Sequence, residues 1–386
     1  MRNVCVVTGN MCEYSRLRSV MKAIENRKDL KLTLVVTASH LLDDYGKTID
    51  YIKADGFKVN AVARTVAAGE DLISMAKSVG LGALELPTIF DLYKPDIVLI
   101  VGNRFDVLSA AISAVMMNIF LAHIQGGEIT GTIDESVRHA ITKLAHIHFV
   151  ANEESAERVI KMGENPKSVI VTSCPSTDII LSLKPMSVKE ACEEFNSRHV
   201  KAAPRLDPKE PFLILIQHPV TTEYEHAKEQ IRATLEAISE LNIQTVLVYP
   251  NVDAGSKDFT RVIRQFDNMN LIPRVIKVKP TEVDCFLQLL RHAACIVGNS
   301  SSGIREACYF GTPCVNMGTR QNGRTRGKNV IDVRHNKKEI KDAIVKQLEH
   351  GKYEPEFIYG EGNAGEKIAE ILATCDISNI QKKLMY

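Results

Sequence analysis

Cys295-Ile-Val-Gly298-Asn-Ser-Ser-Ser-Gly303-Ile-Arg-Glu306-Ala-Cys-Tyr-Phe310 is the stretch on which the fold turns. A short β-branched apolar run ends in glycine, three serines follow, and a second glycine leads into helical residues, Ile304–Phe310. Strand, small-residue loop and helix form the repeating unit of parallel α/β sheets. Small residues ahead of a helix also let backbone N–H groups approach an anion, which the helix dipole favours. A serine N-cap needs no ligand, but three consecutive serines between glycines exceed what capping requires and favour a phosphate.

The same alternation extends in both directions. Strands are predicted at Asn3–Thr8, Lys31–Thr37, Asp96–Gly102, Ile119–Ile124, His146–Ala151 and Ser168–Thr172, then at Phe212–Gln217, Gln244–Tyr249, Arg274–Val278, Cys295–Gly298, Pro313–Asn316 and Asn329–Val333. Helices are predicted at Glu70–Leu92, Asp134–Leu144, Glu153–Met162, Glu223–Leu241 and Lys337–His350. Continuous apolar runs suit strands buried on both faces of parallel sheets. The clearest break falls between Cys174 and Pro211, where a loop, helical segments and the polar stretch Lys201–Pro211 intervene. The predicted organisation is two doubly wound Rossmann-like domains, 1–175 and 176–366, facing each other across a cleft. A tail, 367–386, is expected to pack back on the first domain.

Composition narrows the classes. The chain has 386 residues, a formal net charge of +1, 45% hydrophobic and 25% charged residues, which describes a soluble globular protein and not a disordered one. The charge argues against broad nucleic-acid binding, which needs clustered Lys and Arg. The uncharged stretch Leu108–Ile124 carries Ser109, Ser113, Asn118 and His123; it is short and polar for a membrane span and reads as helix, turn and strand. The chain opens into an apolar strand without a signal-peptide pattern. Its nine cysteines form no C-x-x-C pair and mostly sit in apolar runs, so reduced, buried thiols and a cytoplasmic location are expected.

Ligands of open α/β sheets lie beyond the carboxyl ends of the strands, which directs attention to the polar segments that follow them. Gly318-Thr-Arg-Gln-Asn-Gly323-Arg-Thr325 has Walker A spacing but Arg in place of the phosphate-reaching Lys, which excludes the ATPase reading and leaves a basic loop with Arg320 near a diphosphate. His218 follows a buried strand, where donation to a phosphate and a structural role are equally open. Asn251-Val-Asp-Ala-Gly-Ser-Lys257 is a turn that can offer Lys257. His123-Ile-Gln125-Gly-Gly-Glu128 and Asp134-Glu135-Ser-Val-Arg138-His139 bring acids, amides and a base together; for Asp134 an N-cap or an ion pair with Arg138 is the plainer account. No metal-ligand spacing is present.

Taken together these segments resemble the UDP-N-acetylglucosamine 2-epimerase family, in particular its hydrolysing, sialic-acid-synthesising branch. The resemblance covers almost the whole chain and rests on Ser39-His-Leu-Leu-Asp-Asp-Tyr-Gly46, Gly126-Gly-Glu128, Gly131-Thr-Ile-Asp134, Ser136-Val-Arg-His-Ala-Ile-Thr-Lys-Leu-Ala-His146, Gln217-His-Pro-Val-Thr-Thr222, Asn251–Lys257, Gly298–Gly303 and Gly318-Thr-Arg-Gln321. It implies a GT-B type fold. It implies that Ser300 and Ser301 hold the UDP diphosphate near His218 and Arg320, that Glu306 binds the ribose, and that Arg104, Asn251 and Lys257 lie on the nucleotide side. It implies elimination of UDP from UDP-N-acetylglucosamine by removal of the C2 proton, then hydration of the glycal to N-acetylmannosamine, with no metal or redox cofactor. A homodimer or homotetramer is the expected assembly, since apolar helical stretches can hide a face between copies.

Three motifs depart from the family pattern. Gly-Asp-Arg appears as Gly102-Asn103-Arg104, His-Ile-Glu-Gly-Gly-Glu as His123-Ile-Gln125-Gly-Gly-Glu128, and Thr-Arg-Ala-Asp-Tyr as Asn10-Met11-Cys12-Glu13-Tyr14. Asn103 and Gln125 replace implied acid/base carboxylates, and an amide takes no proton at neutral pH. Such groups contribute about 10²–10⁴-fold each. Asp134 remains at a third catalytic position, with Glu128 and Glu135 near it in sequence, and the catalytic set the resemblance implies is Asp134, Glu128, His218, Asn103 and Gln125. The expected activity is therefore the family reaction, with a changed nucleotide-sugar chemistry or a UDP-sugar-binding relative of impaired turnover as the alternatives.

Overall fold

Apolar side chains that alternate along a central strand must find a core on each face of the sheet, and β1 (Arg2–Thr8) does so. In a computed structural model describing residues 1–201 and 204–385, Val4 and Val6 pack with Leu17, Met21 and Ile24 of the helix Met11–Glu25. Cys5 and Val7 pack on the other face with Leu86 and Phe90 of the helix Leu72–Tyr93 and Val107 and Ala110 of the helix Phe105–Met116.

The first unit comprises Met1–Glu128, Ile133–Ser182 and the chain from Tyr359 onward. Beside β1 its sheet holds β2 (Leu30–Thr37), β3 (Val59–Ala63), β4 (Ile97–Val101), β5 (Phe120–Ile124), β6 (Ile147–Val150) and β7 (Val169–Val171). Among the described residues the order is β3-β2-β1-β4-β5-β6-β7, parallel throughout. The second unit, Leu183–Ile358 together with Ile129–Thr132, has β8 (Phe212–Ile216), β9 (Gln244–Val248), β10 (Val275–Val278), β11 (Cys295–Gly298), β12 (Cys314–Met317) and β13 (Val330–Val333). These are ordered β10-β9-β8-β11-β12-β13, again parallel.

The predicted strands form, and β3 is an addition. The expected domain limits shift. The helix Ser176–Ser182 belongs to the first unit, not the second, because Ile179 and Ile180 are buried there and Asp178 accepts from the N–H groups of Ala364 and Gly365 (2.9 and 2.7 Å). The return to the first unit starts at Tyr359, not 367: its carbonyl accepts from Cys174 N–H (2.8 Å) and its ring is buried. The helix Ala364–Thr374 then adds Ile368, Ala369 and Leu372 to the first core. The expected helix Glu223–Leu241 begins at Ala227 after a 3-10 turn, Thr221–His226. Two residues of the expected linker Lys201–Pro211, 202 and 203, lie outside the described residues.

The helix Leu72–Tyr93 is long and apolar enough for a membrane span by length and composition. It nonetheless packs as a domain helix: Ser74, Ser78, Gly82, Leu86 and Phe90 form a buried stripe at four-residue spacing, and a Cβ on Gly82 would meet Ser109 Oγ at 2.2 Å. Seven of the nine cysteines are buried free thiols, while Cys12 is exposed and Cys375 half-buried.

The last described residues strap the first unit at one end of the helix Ile133–Leu144. Lys382 Nζ donates to the carbonyls of Thr142 and Lys143 (3.2 and 2.8 Å), capping that helix with a cation, and pairs with buried Glu164 (2.7 Å). Glu164 also meets Lys143 (2.5 Å) and His148 (3.1 Å). His146 Nε2–H donates to Ile380 O (3.0 Å). Burial pushes the Glu164 carboxyl up, but hydrogen bonds from His148, Lys143 and Lys382 outweigh it and hold it down at about 2. A depressed carboxyl contributes stability that is full above its ordinary value of 4.5 and lost as pH falls towards 2. Glu164→Gln is expected to lower unfolding free energy at pH 7 by about 3 kcal/mol and to flatten the loss between those pH values, as read from urea unfolding across pH.

Candidate functional site

Each sheet reverses its strand order once, between β1 and β4 and between β8 and β11. Crossovers leave such a point in opposite directions, so the loops at the carboxyl ends part and leave a recess. The predicted residues lie in or near these loops.

In the first unit, Asn10 N-caps the helix Met11–Glu25 by accepting from Glu13 N–H (3.1 Å). Glu13 Oε2 accepts from Gly9 N–H and Oε1 from Asn10 Nδ2 (both 2.6 Å). Asp106, in the first turn of the helix Phe105–Met116, accepts from Asn10 Nδ2 at 3.4 Å and pairs with Arg104 Nε at 3.5 Å. All four side chains are buried. Burial, then the neighbouring Asp106 charge, pushes the Glu13 carboxyl well above the usual carboxylate range, while Gly9 N–H, Arg104 and Asn10 pull it back. Arg104 also lies over the Phe105 ring, 5.2 Å from its centroid. Asn103 is half-buried beside it.

Gln125 leaves β5 with φ +71° and is buried. Its Nε2 donates to Cys174 Sγ (3.0 Å), which contacts Ser176 Oγ (3.1 Å). His123 Nε2–H donates to Gly102 O (2.8 Å), and burial lowers its pKa to about 3, so it stays neutral. Glu128 is buried, and its carbonyl accepts from Arg138 Nη1 (2.5 Å). Arg138 is thus a buried side chain that anchors this carbonyl. Asp134 sits half-buried in the first turn of the helix Ile133–Leu144.

In the second unit the centre is Asn299, wholly buried. Its Oδ1 accepts from His218 N–H (2.7 Å) and its Nδ2 donates to His218 O (2.8 Å). Its own carbonyl accepts from Arg320 Nη1 (3.0 Å) and Gln321 Nε2 (2.8 Å). Asn251 N–H donates to His218 Nδ1 (3.3 Å). Gly298 has φ +136°, and a Cβ there would meet Ile216 O at 1.9 Å, so β8 and β11 approach closely only because it is glycine. The expected helix Ile304–Phe310 resolves into a 3-10 turn, Ser301–Gly303, and a short helix, Arg305–Tyr309. Ser300 accepts from Ser302 N–H (3.3 Å), so this serine is a cap, and so short a helix weakens the dipole argument. Ser301 is half-buried. Glu306 is buried with Oε2 unpartnered. Lys257, in the first turn of the helix Ser256–Asn268, is exposed, and Asn251 is half-buried.

The structure thus gathers Asn103 and Arg104 at one switch point and His218, Ser300 and Arg320 at the other. It adds Asn10, Glu13, Asp106 and Asn299, which the sequence reading missed. Asn10-x-x-Glu13 was visible as a helix-start pattern; Asp106 and Asn299 act through partners far away in sequence. Among the described residues no group of three His, Cys, Asp or Glu is placed to hold a metal ion.

The family model described as UDP-N-acetylglucosamine 2-epimerase matches residues 22–373. The chain belongs to the UDP-N-acetylglucosamine 2-epimerase family. It is 36% identical over 376 residues to the UDP-N,N'-diacetylbacillosamine 2-epimerase (hydrolyzing) of Legionella pneumophila, covering 97% of this chain and 96% of that protein. It is 32% identical over 384 residues to the UDP-N-acetylglucosamine 2-epimerase of Neisseria meningitidis serogroup B, covering 98% and 97%. The crystal structure of a Neisseria meningitidis UDP-GlcNAc 2-epimerase bound to UDP-GlcNAc matches with TM-score 0.76 at 18% identity, over 96% of this chain and 99% of that one. The fold is therefore the two-domain, parallel-sheet GT-B type, and the chain is an epimerase-type enzyme.

Within this epimerase fold the first switch point tolerates no side chain at Gly9, where a Cβ would lie 2.5 Å from Asp106 Oδ2. Gly9→Ala is expected to displace the Asp106–Arg104 pair and to destabilise by about 1–3 kcal/mol, measured by chemical unfolding.

Proposed function

We propose that the chain is a hydrolysing 2-epimerase of a UDP-linked 2-acetamido sugar, taking UDP-N-acetylglucosamine to N-acetylmannosamine and UDP. The observation that carries this reading is the 36% identity across nearly the whole length of a hydrolysing 2-epimerase. We assign Asp134 as the base that removes the C2 proton as the C1–O bond to UDP breaks. Water then adds at C1 of the glycal and a proton returns to C2 on the opposite face. Glu128 is the second carboxyl assigned to this proton traffic. Asn103 and Gln125 are assigned hydrogen bonds to the sugar, because amides can orient but not exchange a proton here. Arg104, His218, Asn251, Lys257, Ser300, Ser301 and Arg320 are assigned to the nucleotide, and Glu306, with its unpartnered oxygen, to the ribose hydroxyls. No cofactor enters these steps.

The name of the Legionella relative favours one second substrate, a UDP sugar with acetamido groups at C2 and C4. The reduced, buried thiols fit a cytoplasmic enzyme of surface-sugar, including sialic acid, synthesis. A homo-oligomer built on the helix Leu72–Tyr93 fits the exposure of its Leu84 and Leu92, each 74% exposed.

Proton NMR of the enzyme with either UDP sugar in deuterated water is expected to show free UDP and a 2-epimeric sugar carrying deuterium at C2. Unchanged substrate would reject the reading. Asp134→Asn is expected to lower kcat by about 10²–10⁴-fold with UDP affinity retained. Leu84→Glu is expected to reduce the sedimentation mass to that of one chain.

A further inference from the structure

Every polar group of one buried residue, Asn299, is spent on four others: Ile216, His218, Arg320 and Gln321. Its backbone N–H donates to Ile216 O (3.1 Å), tying β11 to β8. Its side-chain amide forms a closed pair with the backbone of His218, at 2.7 and 2.8 Å. Its carbonyl takes the guanidinium of Arg320 and the amide of Gln321. A side-chain amide that pairs in this way with a peptide group acts as a further strand residue, fixing φ and ψ of His218 where the sheet no longer can.

The His218 ring is fixed as well. A backbone N–H can only donate, so Nδ1, which receives Asn251 N–H at 3.3 Å, is the acceptor and Nε2 carries the hydrogen. Asn299 sets where the residue stands and Asn251 sets which nitrogen bears its proton. Because Nδ1 is engaged, His218 offers one N–H and no basic nitrogen.

We propose that Asn299 is a positioning residue that holds His218 and Arg320 as paired hydrogen-bond donors to the departing diphosphate, with His218 locked as the neutral Nε2–H tautomer and excluded as the C2 base. This deepens the reading of the chain as a UDP-sugar epimerase and rests on it for the identity of the anion. The placement and tautomer of His218 stand on the geometry alone.

The test uses the full chain labelled with ¹⁵N-histidine. Long-range ¹H–¹⁵N spectra at pH 7, with His218→Gln to assign the resonance, report the tautomer in the free protein; isothermal titration reports UDP binding. Expected for wild type is a single Nε2–H tautomer. In Asn299→Ala, loss of the backbone pairing should leave a mixture of tautomers and weaken UDP by about tenfold, the worth of one net hydrogen bond or more. Asn299→Ser, shorter by the amide but still polar, serves if the alanine variant does not fold, and the same pair of changes is expected. A merely structural asparagine would lower the unfolding midpoint and leave the tautomer intact. A proton on His218 Nδ1 in wild type, or a folded Asn299 variant with unchanged tautomer and UDP affinity, would overturn the proposal. Failure of wild type to bind UDP would instead remove the epimerase reading, while the free-protein spectra still decide the placement of His218.

Discussion

Where a parallel sheet reverses its strand order, two neighbouring strands end with their crossovers departing in opposite directions, and their last peptide groups lose the cover of a connecting loop. The arrangement of this molecule follows from how that exposed edge is closed. Both switch points use an asparagine side chain, one as a helix cap and one as a surrogate peptide. After β1, Asn10 offers its oxygen to Glu13 N–H and its nitrogen to the Glu13 and Asp106 carboxyls. After β11, Asn299 pairs with both backbone groups of His218. The two devices differ in their surroundings: carboxyls and one guanidinium around Asn10, neutral groups and Arg320 around Asn299.

The replaced carboxylates acquire a physical context. A buried ionised glutamate at 125 would need a cation or several donors. The space beside it instead holds the Cys174 thiol and Ser176 hydroxyl, partners suited to a neutral amide. At 103 the neighbouring charge is already committed, since Arg104 is paired with Asp106 and Glu13 is pushed towards its neutral form. The amides thus sit in environments that match them, and the first unit keeps its ionisable groups at 13, 106, 128 and 134.

Much of the fold was legible because central parallel strands are apolar on both faces, and runs such as Ile97–Val101 and Phe212–Ile216 admit few other readings. The strand Val59–Ala63 escaped because it lies at a sheet edge, is half-buried and carries Asn60. The unit boundaries escaped because they depend on Asp178 capping a helix nearly two hundred residues later. In the candidate site, small residues and histidines beyond strand ends marked the loops correctly. What they could not convey is the division of labour within Asn299-Ser300-Ser301, where the asparagine next to the strand is the hub and the serine after it is a cap. Arg138 shows the same limit: its spacing from Asp134 gives no sign that its guanidinium is buried and donates to the Glu128 carbonyl.

The strap and the helix Ala364–Thr374 also bear on the order in which the chain can become a protein. The second unit is built almost entirely from one contiguous stretch, Leu183–Ile358, and that stretch leaves the ribosome whole. The first unit is begun ahead of that stretch, yet its core is missing Ile368, Ala369 and Leu372, and Glu164 its Lys382 partner, until the whole of the second unit has been made. Of the two units, the one begun first is therefore completed last, and while the second is synthesised it waits with the apolar flank of the helix Met11–Glu25 uncovered. That interval, more than any weakness of the finished fold, is when this chain is exposed to chaperones and to aggregation.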